Sequence, residues 1–376
     1  MEIVFNREQA MKALDVGRNF AERASGLKVL QGAFLSAGFG RVRLTTTNLS
    51  LWCQVVLDAQ TVQPGTALVP VRQLGTVLKN APHSRVTLRS VEDDLVCEAG
   101  PSVVRLSRMD PEEYPEIDPP DGRLLTMPLP AGLVDRVAYA ASRDETRYTL
   151  TGVCLDVAGR QMKLVATDGH RLARFTGGLP PGSVVHGDGE PLKAIIPVGL
   201  LSNGVRLGGK LGGATLELHE KAAGVCMNGA VRIWANLIEG PYPAYEGLIP
   251  SEYAGTIAVP KGALCSAVAR LGALSKGRRP AAVALEVDGS QLVLRLAADA
   301  GDGIAAVERV APARITGTVP VCALRINYLS DALARLPDVG WAAFRFTDEQ
   351  GESLVAIQGS LAENTGLLAM VMPCKV

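Results

Sequence analysis

The chain has 376 residues, of which 47% are apolar, and this is typical of a globular protein with about two to three domains. It carries 38 Lys and Arg against 38 Asp and Glu, so its net charge of zero neither indicates nor excludes a nucleic-acid partner. No apolar run reaches the ~18 residues of a membrane-spanning helix, and the opening segment MEIVFNREQAMK lacks the features of a signal peptide, so we expect a cytoplasmic protein with no membrane partner.

Three segments along the chain begin alike: VPVRQLGTVLKNA at residue 69, IPVGLLSNGVRLGG at 196 and VPVCALRINYLSDALARL at 319. Each has a proline suited to the first turn of a helix, followed by leucines at helical spacing. The prolines, Pro70, Pro197 and Pro320, are 127 and 123 residues apart. Strand-and-helix openings repeat as well, in EIVFNREQAMKAL, LTMPLPAGLVDRV and GTIAVPKGALCSA. The sequence therefore predicts three copies of a unit of about 125 residues, each an α+β unit with two helices packed on antiparallel sheets.

Basic residues are concentrated in the segments predicted as helices, which cover residues 7–23, 71–80, 130–143, 198–210, 261–279 and 322–336. These segments hold 17 Lys and Arg and 5 Asp and Glu, a net charge of +12, which leaves −12 for the strands and loops. Such segregation suits a helical face that holds a phosphate backbone in a protein that is neutral overall. Solvated helix faces are the alternative explanation.

Cysteines and histidines are too scattered to indicate a metal site or a disulfide framework. The seven cysteines form no CxxC pair, and none of the four histidines has a second ligand at a metal-binding spacing. We expect reduced cysteines in the core and no metal or other cofactor.

The segments VATDGHRLA at residues 165–173, RYTLTG at 147–152 and VMPCKV at 371–376 together resemble the bacterial DNA polymerase III β subunit family, the sliding clamps. The resemblance spans the whole chain. It implies three clamp-type domains, at residues 1–122, 123–250 and 251–376, in a head-to-tail dimeric ring with helices around duplex DNA. It also implies a non-enzymatic processivity factor that binds double-stranded DNA without sequence preference. The replicative DNA polymerase, the clamp loader and other clamp-binding proteins would bind it through a short peptide motif.

In that family the TDGHRL segment is a binding surface. Asp168 and Gly169 favour a tight turn after the strand KLVAT, which leaves His170, Arg171 and Leu172 at an element edge where a groove could form. Methionine and proline suit a surface that accepts several partner peptides. The resemblance implies a hydrophobic peptide-binding pocket between the second and third domains, formed by Leu150, Thr167, Gly169, His170, Arg171, Leu172, Pro243, Leu248, Tyr328, Met370, Val371, Met372, Pro373 and Cys374.

The chain departs from the family at four positions near this pocket. Gly247 stands where the family commonly has an arginine, Arg325 where it has an asparagine, and Cys374 and Lys375 where it has a Met-Arg pair. The fine specificity of the pocket is therefore open.

For DNA, the resemblance points to Arg147, Tyr148 and Arg23. The predicted helices add further basic residues as phosphate contacts: Lys12, Arg72, Lys79, Arg136, Arg206, Lys210, Arg270 and Arg335. Contacts of this kind cannot specify a base sequence.

The resemblance also implies the surfaces that close the ring. Val104 and Leu106 of the first domain align with one side of the family's subunit interface, and Ala273 and Leu274 of the third domain align with the other. Because the same two surfaces recur in both subunits, a head-to-tail pair closes on itself.

Three other functions stay open from the residues alone. Asp168, His170 and a serine could form a catalytic triad, although residues two apart rarely orient one another and no GxSxG segment occurs. GVRLGGKL at residues 204–211 fits the GxxxxGK pattern of a phosphate loop, although Leu211 stands where a Ser or Thr would hold magnesium. A passive interaction scaffold that never touches DNA is the third, and the basic helices argue against it.

Overall fold

The structure is a computed structural model that describes residues 1–24, 26–115, 119–186, 190–275, 281–296, 305–337, 340–359 and 366–374. Over these residues one order of elements occurs three times: a strand, a helix, five strands, a helix and three strands. The first group comprises β1 Glu2–Asn6, α1 Arg7–Gly17, β2 Gly32–Gly38, β3 Arg41–Thr47, β4 Trp52–Asp58, β5 Gln60–Gln63, β6 Gly65–Pro70, α2 Val71–Asn80, β7 Arg85–Val91, β8 Asp94–Ala99 and β9 Ser102–Ser107.

The second and third groups follow the same order. The second comprises β10 Arg123–Pro128, α3 Asp135–Ala138, β11 Gly152–Ala158, β12 Gln161–Thr167, β13 Arg171–Gly178, β14 Val184–Val185, β15 Leu192–Pro197, α4 Val198–Leu211, β16 Thr215–His219, β17 Ala222–Met227 and β18 Val231–Asn236. The third comprises β19 Gly255–Pro260, α5 Lys261–Leu274, β20 Ala282–Asp288, β21 Gln291–Leu296, β22 Ala306–Val310, β23 Arg314–Gly317, β24 Cys322–Arg325, α6 Ile326–Arg335, β25 Trp341–Phe346, β26 Val355–Gly359 and β27 Leu367–Val371. The repeat predicted from the sequence is thus present in the fold.

The chain forms two compact units. The first unit comprises Met1–Pro130, Pro180–Gly187 and Gly199–Leu237, and the second comprises Ala131–Leu179, Asp188–Val198 and Ile238–Val376. The middle group contributes to both units, because each of its two sheets continues into a sheet of a neighbouring group. The division into three domains at residues 122 and 250 stays a prediction.

Each unit contains two antiparallel sheets. In the first unit the strand orders are β5-β1-β7-β8-β9 and β14-β10-β16-β17-β18-β4-β3-β2-β6. In the second unit they are β15-β11-β12-β13-β27-β26-β25-β19-β23 and β22-β21-β20-β24. The nine-stranded sheets join strands of two groups, through β18 and β4 in the first unit and through β13 and β27 in the second. Trp234 lies opposite Trp52 at the first of these joints, with their rings stacked 6.5 Å apart.

The helices bury one apolar stripe each against the sheets. The core of the first unit contains Leu74 and Leu78 of α2. The core of the second unit contains Leu264 and Leu271 of α5 and Leu329 of α6. Each of these side chains has an exposed fraction of 2% or less. Their spacing of four or seven residues places each set on one helix face. Truncating one such leucine to alanine costs about 2–5 kcal/mol of the free energy of unfolding, so these stripes fix the helices on their sheets.

Two predicted helices match the structure closely, and two are shorter than predicted. Helix 71–80 is confirmed as α2, and helix 198–210 as α4 to within one residue. The prediction is wrong for α1, which ends at Gly17, where the Thr46 hydroxyl donates to the Gly17 carbonyl at 2.8 Å. It is also wrong for residues 130–143: only Asp135–Ala138 is helical, because Gly132 in the preceding turn has a φ of 82°.

The last two helices differ from the prediction at one end each. Helix α5 begins at Lys261 as predicted but ends at Leu274, and residues 276–279 of the predicted helix lie outside the described residues. Helix α6 begins at Ile326, because residues 322–325 form β24, which pairs with β20. Pro320 therefore does not open the third helix. Arg325 precedes it, 128 residues after Pro197, which fits the repeat better than Pro320 does.

The helices carry less net charge than the prediction assigns to them. As observed, they hold ten Lys and Arg and four Asp and Glu, a net charge of +6 over the described helices. Half of the difference arises because Arg18, Arg23, Arg143 and Arg325 lie outside helices, as does Glu22. The other half belongs to Lys276, Arg278 and Arg279, which lie outside the described residues. Over the described helices the segregation of charge has the predicted sign.

The phosphate-loop alternative is excluded by the position of residues 204–211. These residues form the last two turns of α4, whereas a phosphate loop precedes a helix. Gly212 and Gly213, with φ of 88° and 128°, end the helix in a conformation that favours glycine.

All seven cysteines carry free thiols, with Cys53, Cys97, Cys154 and Cys322 buried and the other three partly exposed. Within the described part of the chain, no three His, Cys, Asp or Glu side chains come together as a metal site. No helix among the described residues is long and apolar enough to cross a membrane.

Candidate functional site

The TDGHRL segment forms the turn of the β12–β13 hairpin, as the sequence predicts. Asp168 Oδ1 accepts hydrogen bonds from the backbone N–H groups of His170 at 2.9 Å and Arg171 at 3.0 Å. Thr167 Oγ1 accepts from the Gly169 N–H at 3.1 Å and donates to the Arg171 carbonyl at 2.6 Å. Gly169 has a φ of 87°, which a side chain would strain. The turn is therefore held rigidly by its own side chains.

Arg171 is mostly buried and links this turn to α6. Its Nε donates to Asp168 Oδ2 at 3.0 Å and its Nη1 to Asp331 Oδ2 at 2.6 Å, and its side chain is only 11% exposed. The guanidinium also lies over the ring of Tyr328, 4.5 Å from the centroid, and 5.4 Å from that of Tyr139. Burial raises the pKa of Tyr139, and the charge of Arg171 partly opposes this rise. Arg171 therefore supports the site from beneath.

These contacts also exclude the catalytic-triad alternative. Both carboxylate oxygens of Asp168 are engaged by backbone N–H groups and by Arg171, and the His170 side chain is exposed. The carboxylate thus orients the turn, whereas in a triad it would orient an imidazole.

The C-terminal strand β27 runs beside the hairpin and extends past it. Leu172 lies opposite Met370, and both are buried in one cluster with Tyr242, Tyr245 and neighbouring apolar residues. Beyond the strand, the Met372 N–H donates to the His170 carbonyl at 2.8 Å, and the Cys374 N–H donates to the Ala323 carbonyl at 2.9 Å. The tail is thereby tied first to the turn and then to β24.

The residues predicted to form the pocket include buried members, which we call its floor, as well as partly buried and exposed members. Thr167, Leu172, Met370 and Val371 are buried, and Leu150, Arg171, Tyr328, Pro373 and Cys374 are partly buried. Gly169, His170, Pro243, Leu248 and Met372 are exposed. Leu248 is 54% exposed and Met372 46%.

We call this predicted set the 167–172 groove, and several contacts connect parts of it. The turn is hydrogen-bonded to the tail, and its Arg171 lies over the ring of Tyr328. Pro243 lies in sequence between Tyr242 and Tyr245, whose rings meet edge to face 6.4 Å apart. The Leu248 N–H donates to the Tyr245 carbonyl at 3.0 Å. Leu150 and Pro373 adjoin the set along the chain, Leu150 in the 3-10 helix Glu145–Thr151. Lys375, the fourth departure from the family, lies outside the described residues.

The residues predicted to contact DNA are all exposed. In the first unit they are Lys12, Arg23, Arg72, Lys79, Arg206 and Lys210, and in the second unit Arg136, Arg147, Tyr148, Arg270 and Arg335. Some have local partners: Arg270 makes a two-pronged ion pair with Glu308 on β22 at 2.7 and 2.8 Å, and Arg136 lies 4.6 Å from the Phe175 centroid. Both would have to share or exchange these contacts to hold a phosphate.

The residues predicted at the subunit interface lie in different environments. Leu106 is 8% exposed and belongs to the core of the first unit, and Val104 packs partly against that core. Ala273 and Leu274 are exposed at the end of α5. Strands β9 and β22 are edge strands of their sheets, and they expose Val103 by 61% and Val307 by 43%. Sequence reasoning missed these two valines, although alternation along each strand was the available signal.

Solved structures of DNA polymerase sliding clamps share this fold. That of Bacillus subtilis has a TM-score of 0.88 at 19% identity and covers 100% of this chain and 99% of its own. A clamp from Bartonella birtlesii, DNA polymerase III subunit beta bound to griselimycin, has a TM-score of 0.86 at 26% identity and covers 100% of both chains. The fold is that of a sliding clamp.

Sequence comparison leads to the same family. The family description "DNA polymerase III beta subunit, N-terminal domain" matches residues 1–118, and "DNA polymerase III beta subunit, central domain" matches residues 129–244. The β sliding clamp of Caulobacter vibrioides is 26% identical over 392 aligned positions that cover 100% of both chains. That of Pseudomonas aeruginosa is 29% identical over 257, covering 66% of this chain and 68% of the relative. The chain belongs to the bacterial DNA polymerase III β subunit family, the β sliding clamps, which confirms the predicted family.

Proposed function

We propose that this chain is a DNA sliding clamp, a ring-forming and non-enzymatic processivity factor that encircles duplex DNA and tethers the replicative DNA polymerase. Family membership and the sliding-clamp fold support this function. The three groups of elements are the three clamp domains of the ring, at residues 1–122, 123–250 and 251–376. A regularity in how strands of different groups pair supports this function most strongly, because extending it to a second copy of the chain closes a ring.

The pairing rule relates the ninth strand of one group to the fourth strand of another. Strand β18, the ninth of the second group, pairs with β4, and β27, the ninth of the third group, pairs with β13. The ninth strand of the first group, β9, and the fourth strand of the third group, β22, remain without such a partner. Both lie at the edges of their sheets. Unpaired edges are ready templates for another chain. A head-to-tail homodimer pairs β9 of each copy with β22 of the other and leaves neither edge open.

Contacts to DNA in the ring are electrostatic. The basic residues of the helices, together with Arg23, Arg147 and Tyr148, supply exposed charge that attracts phosphates without reading bases. A ring needs no tight site for DNA, because closure alone prevents escape. The net charge of +6 on the helices is therefore compatible with a ring that slides.

Partner proteins bind in the 167–172 groove through a short peptide motif. Exposed Leu248 and Met372 above a buried apolar floor suit an apolar peptide segment. The griselimycin-bound clamp of Bartonella birtlesii shows that a relative of this chain takes a ligand. The replicative polymerase, the clamp loader and other clamp-binding proteins use this one groove, in the cytoplasm.

Retention on DNA of different topology tests the function. After loading by a clamp loader and ATP onto nicked circular plasmid, the protein stays with the DNA through gel filtration at about 0.5 M NaCl, where phosphate contacts are largely screened. Cutting the plasmid once releases it, because the ring slides off the ends. Equal retention on circular and linear DNA would contradict encirclement.

A further inference from the structure

Tyr328, a partly buried member of the 167–172 groove, lies close to two guanidinium groups. That of Arg171 lies 4.5 Å from the ring centroid and that of Arg325 lies 5.5 Å from it. Arg325 Nη1 also donates to the Tyr328 phenol oxygen at 3.4 Å. The phenol oxygen thus accepts a hydrogen bond, and its own O–H proton is left to donate to another group.

The two arginines differ in how their charges are balanced. Arg171 is paired with Asp168 and Asp331. Arg325 forms no ion pair within the described part of the chain, where its guanidinium donates to the Tyr328 oxygen and lies near the Tyr328 ring. It is nevertheless only partly exposed, which reduces screening of its charge by solvent. Among the described residues, the groove therefore has one guanidinium, that of Arg325, without an ion-pair partner.

The charge of Arg325 reaches the tail of the chain. Burial raises the pKa of the Cys374 thiol, and Arg325 opposes this rise, so the guanidinium acts on the segment that forms one wall of the groove. The Cys374 N–H is bonded to the carbonyl of Ala323, two residues before Arg325. A peptide lying along this wall passes within the field of Arg325.

We propose that Arg325 and Tyr328 form a carboxylate subsite of the groove, which selects partner segments that carry Asp or Glu next to their apolar anchors. This inference rests on the proposed peptide-binding function of the groove. The carboxylate accepts one hydrogen bond from the remaining N–H donors of Arg325 and one from the Tyr328 O–H, both charge-assisted. A side-chain carboxylate can reach the subsite wherever the partner segment ends, whereas a terminal carboxylate could do so only if the partner chain ended there.

Peptide titration separates the subsite from the groove. Fluorescent peptides with the same apolar anchors and an amidated C-terminus, carrying either Asp or Asn beside the anchors, are titrated against the intact protein by anisotropy. Wild type should bind the Asp peptide about tenfold more tightly, as expected for hydrogen bonds to a charged group. In Arg325→Gln this preference should vanish while the Asn peptide keeps its affinity within about twofold. Tyr328→Phe should reduce the preference severalfold, and Arg325→Lys should keep part of it.

A matched control is Arg160→Gln, which removes the same charge in the β11–β12 turn, seven residues from Thr167, or about 23 Å at the rise of a strand. It should keep the full preference. The subsite is refuted if wild type binds both peptides equally, or if Arg325→Gln keeps the preference. If a free C-terminal acid but no Asp confers the preference, the side-chain assignment is overturned. If wild type binds neither peptide, the groove itself is contradicted, and the subsite with it.

Discussion

Arg171 acts as a buried support for the groove, although the sequence alone places it at an exposed edge. Asp331 is 160 positions away along the chain, so no local pattern indicates that these two side chains meet. The turn itself is predictable, because Asp168 and Gly169 act on backbone groups two or three residues away. Short-range hydrogen bonds can be predicted from the sequence, whereas a contact that requires β13 and α6 to pack together cannot.

Arg171→Ala should destabilise the second unit and weaken peptide binding together. It leaves Asp168 and Asp331 without their cation and removes the contact with Tyr328, which should lower the free energy of unfolding by about 2–4 kcal/mol. The loss is smaller than for a fully buried pair, because Asp331 is half exposed and can be hydrated. Urea unfolding should show the lower midpoint. Arg171→Lys keeps the charge without the planar fork and should recover only part of the loss. Unchanged stability in Arg171→Ala would contradict the supporting role.

At the scale of elements, local rules predict a helix where packing does not override them. Pro70 followed by leucines at helical spacing predicts α2 at both ends. The same rule fails at Pro320, because Cys322, Ala323 and Leu324 are buried in a strand that pairs with β20. The helix therefore begins only at Ile326. A short apolar segment such as this one can form a helix or a strand. Pairing with a neighbouring strand, which the sequence does not reveal, determines which of the two forms. Likewise Leu172, predicted at the groove edge, is 3% exposed and forms its floor.

The tail after β27 can be tested as one wall of the groove. A chain that ends at Val371 lacks Met372, which is bonded to the turn, and Cys374, which is bonded to β24. Partner peptides should lose at least ~2 kcal/mol of binding free energy, or more than tenfold in affinity. A chain that ends at Cys374 is the control, because it removes only the last two residues. Sedimentation of both should match wild type, because the proposed interface lies at β9 and β22. Equal peptide affinity of wild type and the Val371 truncation would show that the tail is no part of the groove.

At the scale of the whole molecule, the two edge strands should determine whether the ring closes. Val103→Lys with Val307→Lys places two positive charges in every β9–β22 contact of a head-to-tail dimer, because each contact contains one strand of each kind. Like charges across paired strands are destabilising, so this protein should sediment as a monomer at low micromolar concentration. Val103→Lys with Val307→Glu should restore much of the dimer. Val62→Lys on β5, the opposite edge of the same sheet and similarly exposed, is the matched control. A dimer that survives the double lysine change would place the interface elsewhere.

The central claim is that two copies close into one ring through the third instance of the pairing rule. Electron microscopy of the purified wild-type protein tests it most directly. The account predicts closed rings of two chains, with six repeated domains around a central hole, and continuous sheet density where β9 of one copy meets β22 of the other. Open arcs of single chains at concentrations where the protein sediments as a dimer, or dimers joined through other surfaces, would contradict it.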